Sequence, residues 1–60
     1  MGYDINAQTA DGDTVLHMAV LNGSAWTAMT LINYGADPSI VDNEGCDAYY
    51  YAKYNNMTLA

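Results

Sequence analysis

Two stretches of this 60-residue chain carry the same turn and packing signals 33 residues apart. Gly2 returns as Gly35, Asp4 as Asp37, Gly12 as Gly45, Ala19 as Ala52 and Asn22 as Asn55. These identities fall mainly on turn and close-packing positions, where backbone geometry restricts the choice of residue. A chain with this period stacks supersecondary units against their neighbours rather than wrapping one central core.

The strongest single stretch runs Gly12-Asp13-Thr14-Val15-Leu16-His17-Met18-Ala19. Gly12 permits the positive φ of a tight turn, and the Thr14 hydroxyl can accept from one of the unpaired N–H groups that open a helix. Leu16, Ala19 and Val20 then recur at i, i+3 and i+4 on one apolar stripe, and the small Ala19 lets a second helix approach closely. The spacing predicts a helix over 15–21, stopped at Asn22-Gly23.

Ser24 is the expected N-cap of a second helix over 25–34, whose Ala28, Leu31 and Ile32 face Leu16, Ala19 and Val20, with Gly35 as its stop. Trp26 either covers the helix ends or faces outward. Pro38 blocks helix, Ile40-Val41 favours extended backbone and Asn43-Glu44-Gly45 turns, so 37–45 reads as a hairpin-like finger. A third helix over 48–55 follows, capped by Asp47. In this second unit Tyr49 stands at the position of Leu16, Tyr50 at that of His17 and Asn56 at that of Gly23.

The stretch from Gly12 to Ala19 resembles the ankyrin-repeat signature T-P-L-H-x-A. Thr14, Leu16, His17 and Ala19 match, and Val15 replaces the proline. Gly2-Tyr3-Asp4-Ile5-Asn6-Ala7 resembles the end of such a unit, G-A-D-V-N-A, and Gly35-Ala36-Asp37-Pro38-Ser39 repeats it with Ser39 in place of the usual asparagine. The resemblance implies an all-α repeat fold, an α-solenoid of helix–turn–helix units joined by β-hairpin-like fingers. Residues 1–8 would be the tail of a preceding unit, 9–41 one complete repeat and 42–60 a partial, degenerate one. The expected parent is therefore a longer array. Asp11 to Ala19 further resembles the D-G-D-T-x-L-H-x-A opening of NF-κB inhibitors.

Length matters to that expectation, because a chain this short buries only about 60% of the surface its unfolded form exposes. Cys46, the only cysteine, cannot form an internal disulfide, which favours a reducing, intracellular compartment, cytoplasmic or nuclear. No apolar run reaches the length of a membrane span. Seven acidic residues against Lys53 alone give a formal charge of −6, which opposes binding to a phosphate backbone. Neither a nucleic-acid nor a membrane partner is expected.

Catalysis and metal binding are argued against by the same scarcity. A nucleophilic site needs a nucleophile, a base and an orienting group, and Cys46 with His17 leaves nothing to orient the ring. One histidine and one cysteine are too few for a zinc site. Aligning Gly45 with the glycine of a calcium loop puts Ile40 at its first position and Tyr51 at its twelfth, so both ends fail. No enzyme activity, cofactor or metal is expected. The resemblance implies that His17 is structural, hydrogen-bonded to turn backbone and to the Thr14 region, within a framework of Gly12, Thr14, Leu16, Ala19, Gly35, Gly45 and Ala52.

What remains is a protein-interaction surface. The resemblance places recognition at finger tips and the inner helix face, here Ala10, Asp11, Asp13, Leu21 and Asn22, then Asn43, Glu44, Cys46, Tyr54 and Asn55, with Tyr34 at a further variable position. The acidity has two readings, attraction to a basic protein partner or the solubility of a polar turn layer, and such charge balances are common in soluble domains. Tyrosines suit interfaces through large contact area with a polar tip. Tyr49 and Tyr50 are expected to fill the core against a further repeat, whereas Tyr51 and Tyr54 suit core and interface equally. Self-association through open repeat ends is a further expectation. The alternative to a binding role is a structural spacer inside a larger channel, enzyme or signalling protein.

Overall fold

The computed structural model describes residues 4–59, so the Gly2-Tyr3 part of the first turn signal and the final Ala60 lie outside it. Three helices follow in order, α1 (Val15–Leu21), α2 (Ala25–Asn33) and α3 (Ala48–Tyr54), and α1 packs against both others. No strand occurs among the described residues. The fold is the expected all-α repeat.

Helix α1 opens with a reciprocal cap. Thr14 is extended and its Oγ1 accepts the His17 N–H at 3.3 Å, while His17 Nδ1 accepts the Thr14 N–H at 3.1 Å. The imidazole thus takes the part usually given to a Glu or Gln three residues into the helix. At its far end Gly23 adopts φ +73°, and the Ser24 N–H reaches back to the Ala19 carbonyl at 3.0 Å. Helix α3 closes in the same way. Asn56 takes φ +55° at the position of Gly23, and the Met57 N–H donates to Ala52 at 2.9 Å. Asparagine tolerates this left-handed conformation better than other non-glycine residues.

Three local expectations are corrected. Ser24 stands at the N-cap of α2 but makes no side-chain cap; its hydroxyl donates to Thr27 Oγ1 at 2.8 Å instead. Helices α2 and α3 each end one residue earlier than expected, with Tyr34 and Asn55 as C-caps. Tyr49 and Tyr50 are exposed rather than core, because α3 meets α1 through the Ala48–Ala52 side and nothing among the described residues covers the other. Trp26 faces outward, at 79% exposure.

The buried cluster is Leu16, Ala19 and Val20 from α1, Ala28 from α2, Ala48 and Ala52 from α3, with Ala36 and Leu59. Five of these eight are alanine, so each contributes little buried area and the helices approach closely instead. Ile5, Leu31, Ile32, Tyr51 and Met57 pack around them. With so thin a core, hydrogen bonds between the fingers take a larger share of holding the units in register.

Each finger is a tight backbone loop. In the first, Thr9 N–H donates to Asp13 at 2.9 Å and Gly12 N–H to Thr9 at 2.8 Å; in the second, Asp42 N–H donates to Cys46 and Gly45 N–H to Asp42, both at 2.9 Å. The Asn43 N–H then joins the two tips by donating to the Asp11 carbonyl at 3.1 Å. Gly12 must be glycine twice over, since its φ is +84° and a Cβ there would lie 2.6 Å from the Asn43 nitrogen.

Candidate functional site

Between the finger tips and the exposed edge of α1 lies a cleft of about 280 Å³, lined by Asp11, Asp13, Leu21, Asp42, Asn43, Glu44 and Tyr51. Its geometry follows from the repeat. Two fingers one period apart place Asp11 and Asp13 beside Asp42 and Glu44, and Leu21 adds an apolar side chain from α1. The four carboxylates therefore share one concave surface in a chain whose only Lys or Arg, Lys53, lies on α3 outside it.

Asp42 differs from the other three. Its Oδ2 accepts the Tyr51 hydroxyl at 2.5 Å, and its Oδ1 accepts the N–H of Glu44 at 2.9 Å and of Cys46 at 3.0 Å. Tyr51 first, then the Cys46 N–H, holds this carboxyl below the ordinary aspartate range. The same contact with Asp42 pushes the Tyr51 phenol up. Asp42 and Tyr51 thus brace the cleft wall, while the side chains of Asp11, Asp13 and Glu44 make no hydrogen bond among the described residues and are open to a ligand.

His17 lies beneath this surface, almost wholly buried. Its Nε2 donates to the Cys46 carbonyl at 3.1 Å, and Nδ1 lies 2.9 Å from the Thr14 hydroxyl as well as accepting the Thr14 N–H. A backbone N–H only donates and a carbonyl only accepts, so these partners fix the neutral tautomer with its proton on Nε2. Ligand atoms of Asp13, His17 and Asp42 come within 4.8 Å of one another. A metal ion there would have to displace a hydrogen bond from His17 and another from Asp42, both of which hold the fold together. The arrangement offers no free base beside a nucleophile.

Of the residues expected to contact a partner, Asp11, Asp13, Leu21, Asn43 and Glu44 come together at the cleft. Ala10 is at the first tip, where its carbonyl accepts the Asn43 side-chain amide at 2.8 Å. Cys46 is half-buried with its carbonyl given to His17. Asn55 is committed elsewhere, its side-chain amide donating to the Val20 carbonyl at 2.6 Å. Asn22 and Tyr34 are exposed helix-end residues that do not line the cleft.

Tyr54 belongs to a second surface, on α3, where a cavity of about 370 Å³ is lined by Tyr50, Lys53 and Tyr54. The Tyr50 and Tyr54 hydroxyls pair at 3.2 Å, and that contact raises the Tyr50 pKa. Asp42 and Tyr51 are cleft residues beyond the expected contact set. The sequence signal for Asp42 is its position one period after Thr9, whose Oγ1 accepts the Asp13 N–H just as Asp42 accepts that of Cys46.

Comparison with known proteins agrees with this architecture. The family model described as ankyrin repeats (3 copies) matches residues 1–59. An ankyrin repeat and LEM domain-containing protein 1 homolog of Caenorhabditis elegans is 39% identical over 56 residues, covering 93% of this chain and 8% of the relative. Putative ankyrin repeat protein FPV219 of fowlpox virus is 37% identical over 60 residues, covering 97% of this chain and 14% of the relative. Palmitoyltransferase ZDHHC17 of Danio rerio is 38% identical over 50 residues, covering 83% of this chain and 7% of the relative. The chain thus spans 7% to 14% of the length of these three proteins.

Proposed function

This chain belongs to the ankyrin-repeat family, whose repeats are in general non-catalytic protein-interaction modules, and from that premise we propose that it is a recognition segment of a larger array, receiving a basic stretch of a protein partner in the cleft between its fingers. The observation that carries the reading is the gathering of Asp11, Asp13, Asp42 and Glu44 around one cleft with Leu21 and Tyr51. Clustered carboxylates raise the local concentration of a cationic ligand and speed its encounter, and an apolar wall accommodates the methylene stem of a lysine or arginine. A partner bound this way answers strongly to salt, because exposed charges are screened over about 8 Å at physiological ionic strength.

Binding of a fluorescent oligolysine peptide tests the reading. Glu44→Lys and Asp4→Lys change the net charge equally, but only Glu44 lines the cleft. Glu44→Lys is expected to weaken binding about tenfold more than Asp4→Lys, with both proteins keeping their helical circular dichroism. Equal weakening by the two would reduce the cleft to general charge attraction. A structural spacer, the rival reading, predicts that a natural partner of the parent protein still binds when Asp11, Asp13 and Glu44 are all reversed.

A further inference from the structure

Asn22 and Gly23 close α1, and they do so with a chemically labile pair. In an Asn-Gly dipeptide no side chain shields the glycine nitrogen, which can attack the asparagine Cγ, displace the side-chain amide and close a five-membered imide. Gly23 is the only glycine that follows an asparagine in this chain. Asn6, Asn33, Asn43, Asn55 and Asn56 are followed by Ala7, Tyr34, Glu44, Asn56 and Met57. The left-handed φ of +73° that suits glycine to the end of α1 therefore gives Asn22 its most reactive neighbour.

The turn opposes that reaction twice. Asn22 has ψ −4°, so the Gly23 nitrogen eclipses the Asn22 nitrogen and is turned away from the side chain. Ring closure needs that nitrogen in one plane with Cα, Cβ and Cγ, which this ψ forbids. The Gly23 N–H also donates to the Val20 carbonyl at 2.9 Å, and it must lose both that bond and its proton before the nitrogen can attack. Steric cover is not the obstacle. Asn22 and Gly23 are exposed, and a Cβ at Gly23 would meet nothing within 4 Å. Reaction waits on opening of the last turn of α1, and fraying at a helix end is among the openings that cost least.

Closure cannot follow reaction. The imide has no Gly23 N–H to return to Val20, and it holds Asn22 at a ψ outside the cap. The same Val20 carbonyl accepts the Asn55 side-chain amide at 2.6 Å, and the Ser24 N–H reaches back across the pair to Ala19 at 3.0 Å. This turn thus ties α1 to α3 and sets the start of α2. Water opens the ring at one of its two carbonyls. One cleavage leaves aspartate on an ordinary backbone, and the other leaves isoaspartate, whose backbone runs through Cβ and is longer by a methylene. Both place a new carboxylate at the C-terminal end of α1, where the helix dipole opposes negative charge.

We propose that Asn22-Gly23 is a site of spontaneous deamidation, held unreactive by the turn it forms, and that its isoaspartate product makes the opening of that turn permanent. The Gly23 nitrogen bonds to Asn22 Cγ as the Cγ–Nδ2 bond breaks. The Gly23 proton leaves with the amide as ammonia, and one water is consumed when the ring opens. The chain thereby records opening of α1 as a covalent change. This chemistry stands apart from partner binding at the cleft.

Incubation of the whole chain at neutral pH, in buffer and in unfolding urea, tests both parts, with isoaspartate located by electron-transfer fragmentation in a mass spectrometer. In urea Asn22 is expected to convert ahead of every other asparagine, and in buffer to convert about tenfold or more slowly than in urea. The purified isoaspartate form should unfold at a lower urea midpoint than Asn22→Asp, which adds the same carboxylate on an unaltered backbone. Equal rates in the two media, another asparagine reacting first in urea, or an isoaspartate form as stable as Asn22→Asp would each overturn the proposal.

Discussion

The turn that opens α1 and the turn that opens α3 do the same local task with different residues. Thr14 caps one and Asp47 the other, each accepting the N–H three residues on. After that they part. In α1 the third residue is His17, whose ring closes the cap on one side and holds the neighbouring finger on the other. In α3 it is Tyr50, which turns to solvent and pairs with Tyr54. Capping tolerates substitution because any short side chain with an acceptor meets the need. Bridging does not, because it requires a donor of one length and direction, held in a buried ring.

The widest gap between equivalent positions is expected at the finger glycines. Gly12→Ala puts a Cβ at 2.6 Å from the Asn43 nitrogen and 3.0 Å from the Asp42 carbonyl carbon, on a backbone at φ +84°. Gly45 has a similar φ of +80° but open space around it. Gly12→Ala should cost about 3 kcal/mol or more, enough to unfold so small a chain, and Gly45→Ala only the left-handed penalty of about 1–2 kcal/mol. Urea denaturation of the two variants compares them directly.

Next come the third helical residues. His17→Ala leaves a cavity and strands the Thr14 N–H and the Cys46 carbonyl, for an expected loss of about 2–4 kcal/mol. His17→Gln should recover part of that loss, since glutamine completes a capping box but lacks the ring's reach. Tyr50→Ala should leave the unfolding midpoint nearly unchanged, and a drop as large as that of His17→Ala would refute the contrast.

A smaller difference separates the two asparagines. Asn55→Ala removes the bond to Val20 and should cost about 1 kcal/mol, whereas Asn22→Ala in this chain should be neutral within measurement.

The smallest effect is in pH. Asp42 has its folded-state pKa depressed, chiefly by Tyr51, so its contribution is present above the unfolded carboxylate range and lost as pH falls through the folded value. Asp42→Asn should therefore flatten the acid limb of stability below about pH 4. Tyr51 has its pKa raised, so its contribution holds below the ordinary phenol range and is lost as pH rises above it. Tyr51→Phe should shallow the alkaline limb.

Features that depend on close neighbours along the chain are legible in the sequence. Thr14, Asp47, Gly23 and Gly35 act within a few residues of themselves, and the helices they bound lie within a residue of their expected ends. Ser24 shows the limit of that logic. Its residue type suits a cap, but its backbone, at φ −91° and ψ 85°, and the nearby Thr27 hydroxyl draw it elsewhere. The exposure of Tyr49 and Tyr50 does not follow from their register positions, because burial belongs to the covering element. The bond between Tyr51 and Asp42 leaves no trace in the sequence, since it joins a helix to a finger through two particular rotamers. Five cleft residues are legible from the family resemblance and Asp42 from its place one period after Thr9, while the part Tyr51 plays in the cleft wall emerges only from the packing of finger on helix.

The bridging role of His17 is the point on which the contrast between the units turns, and nitrogen NMR of the imidazole in the whole chain reads it directly. A neutral ring protonated at Nε2, with that proton slow to exchange and coupled to the Cys46 carbonyl, is the predicted result. A ring protonated at Nδ1, or one averaging between tautomers with a freely exchanging proton, would contradict it.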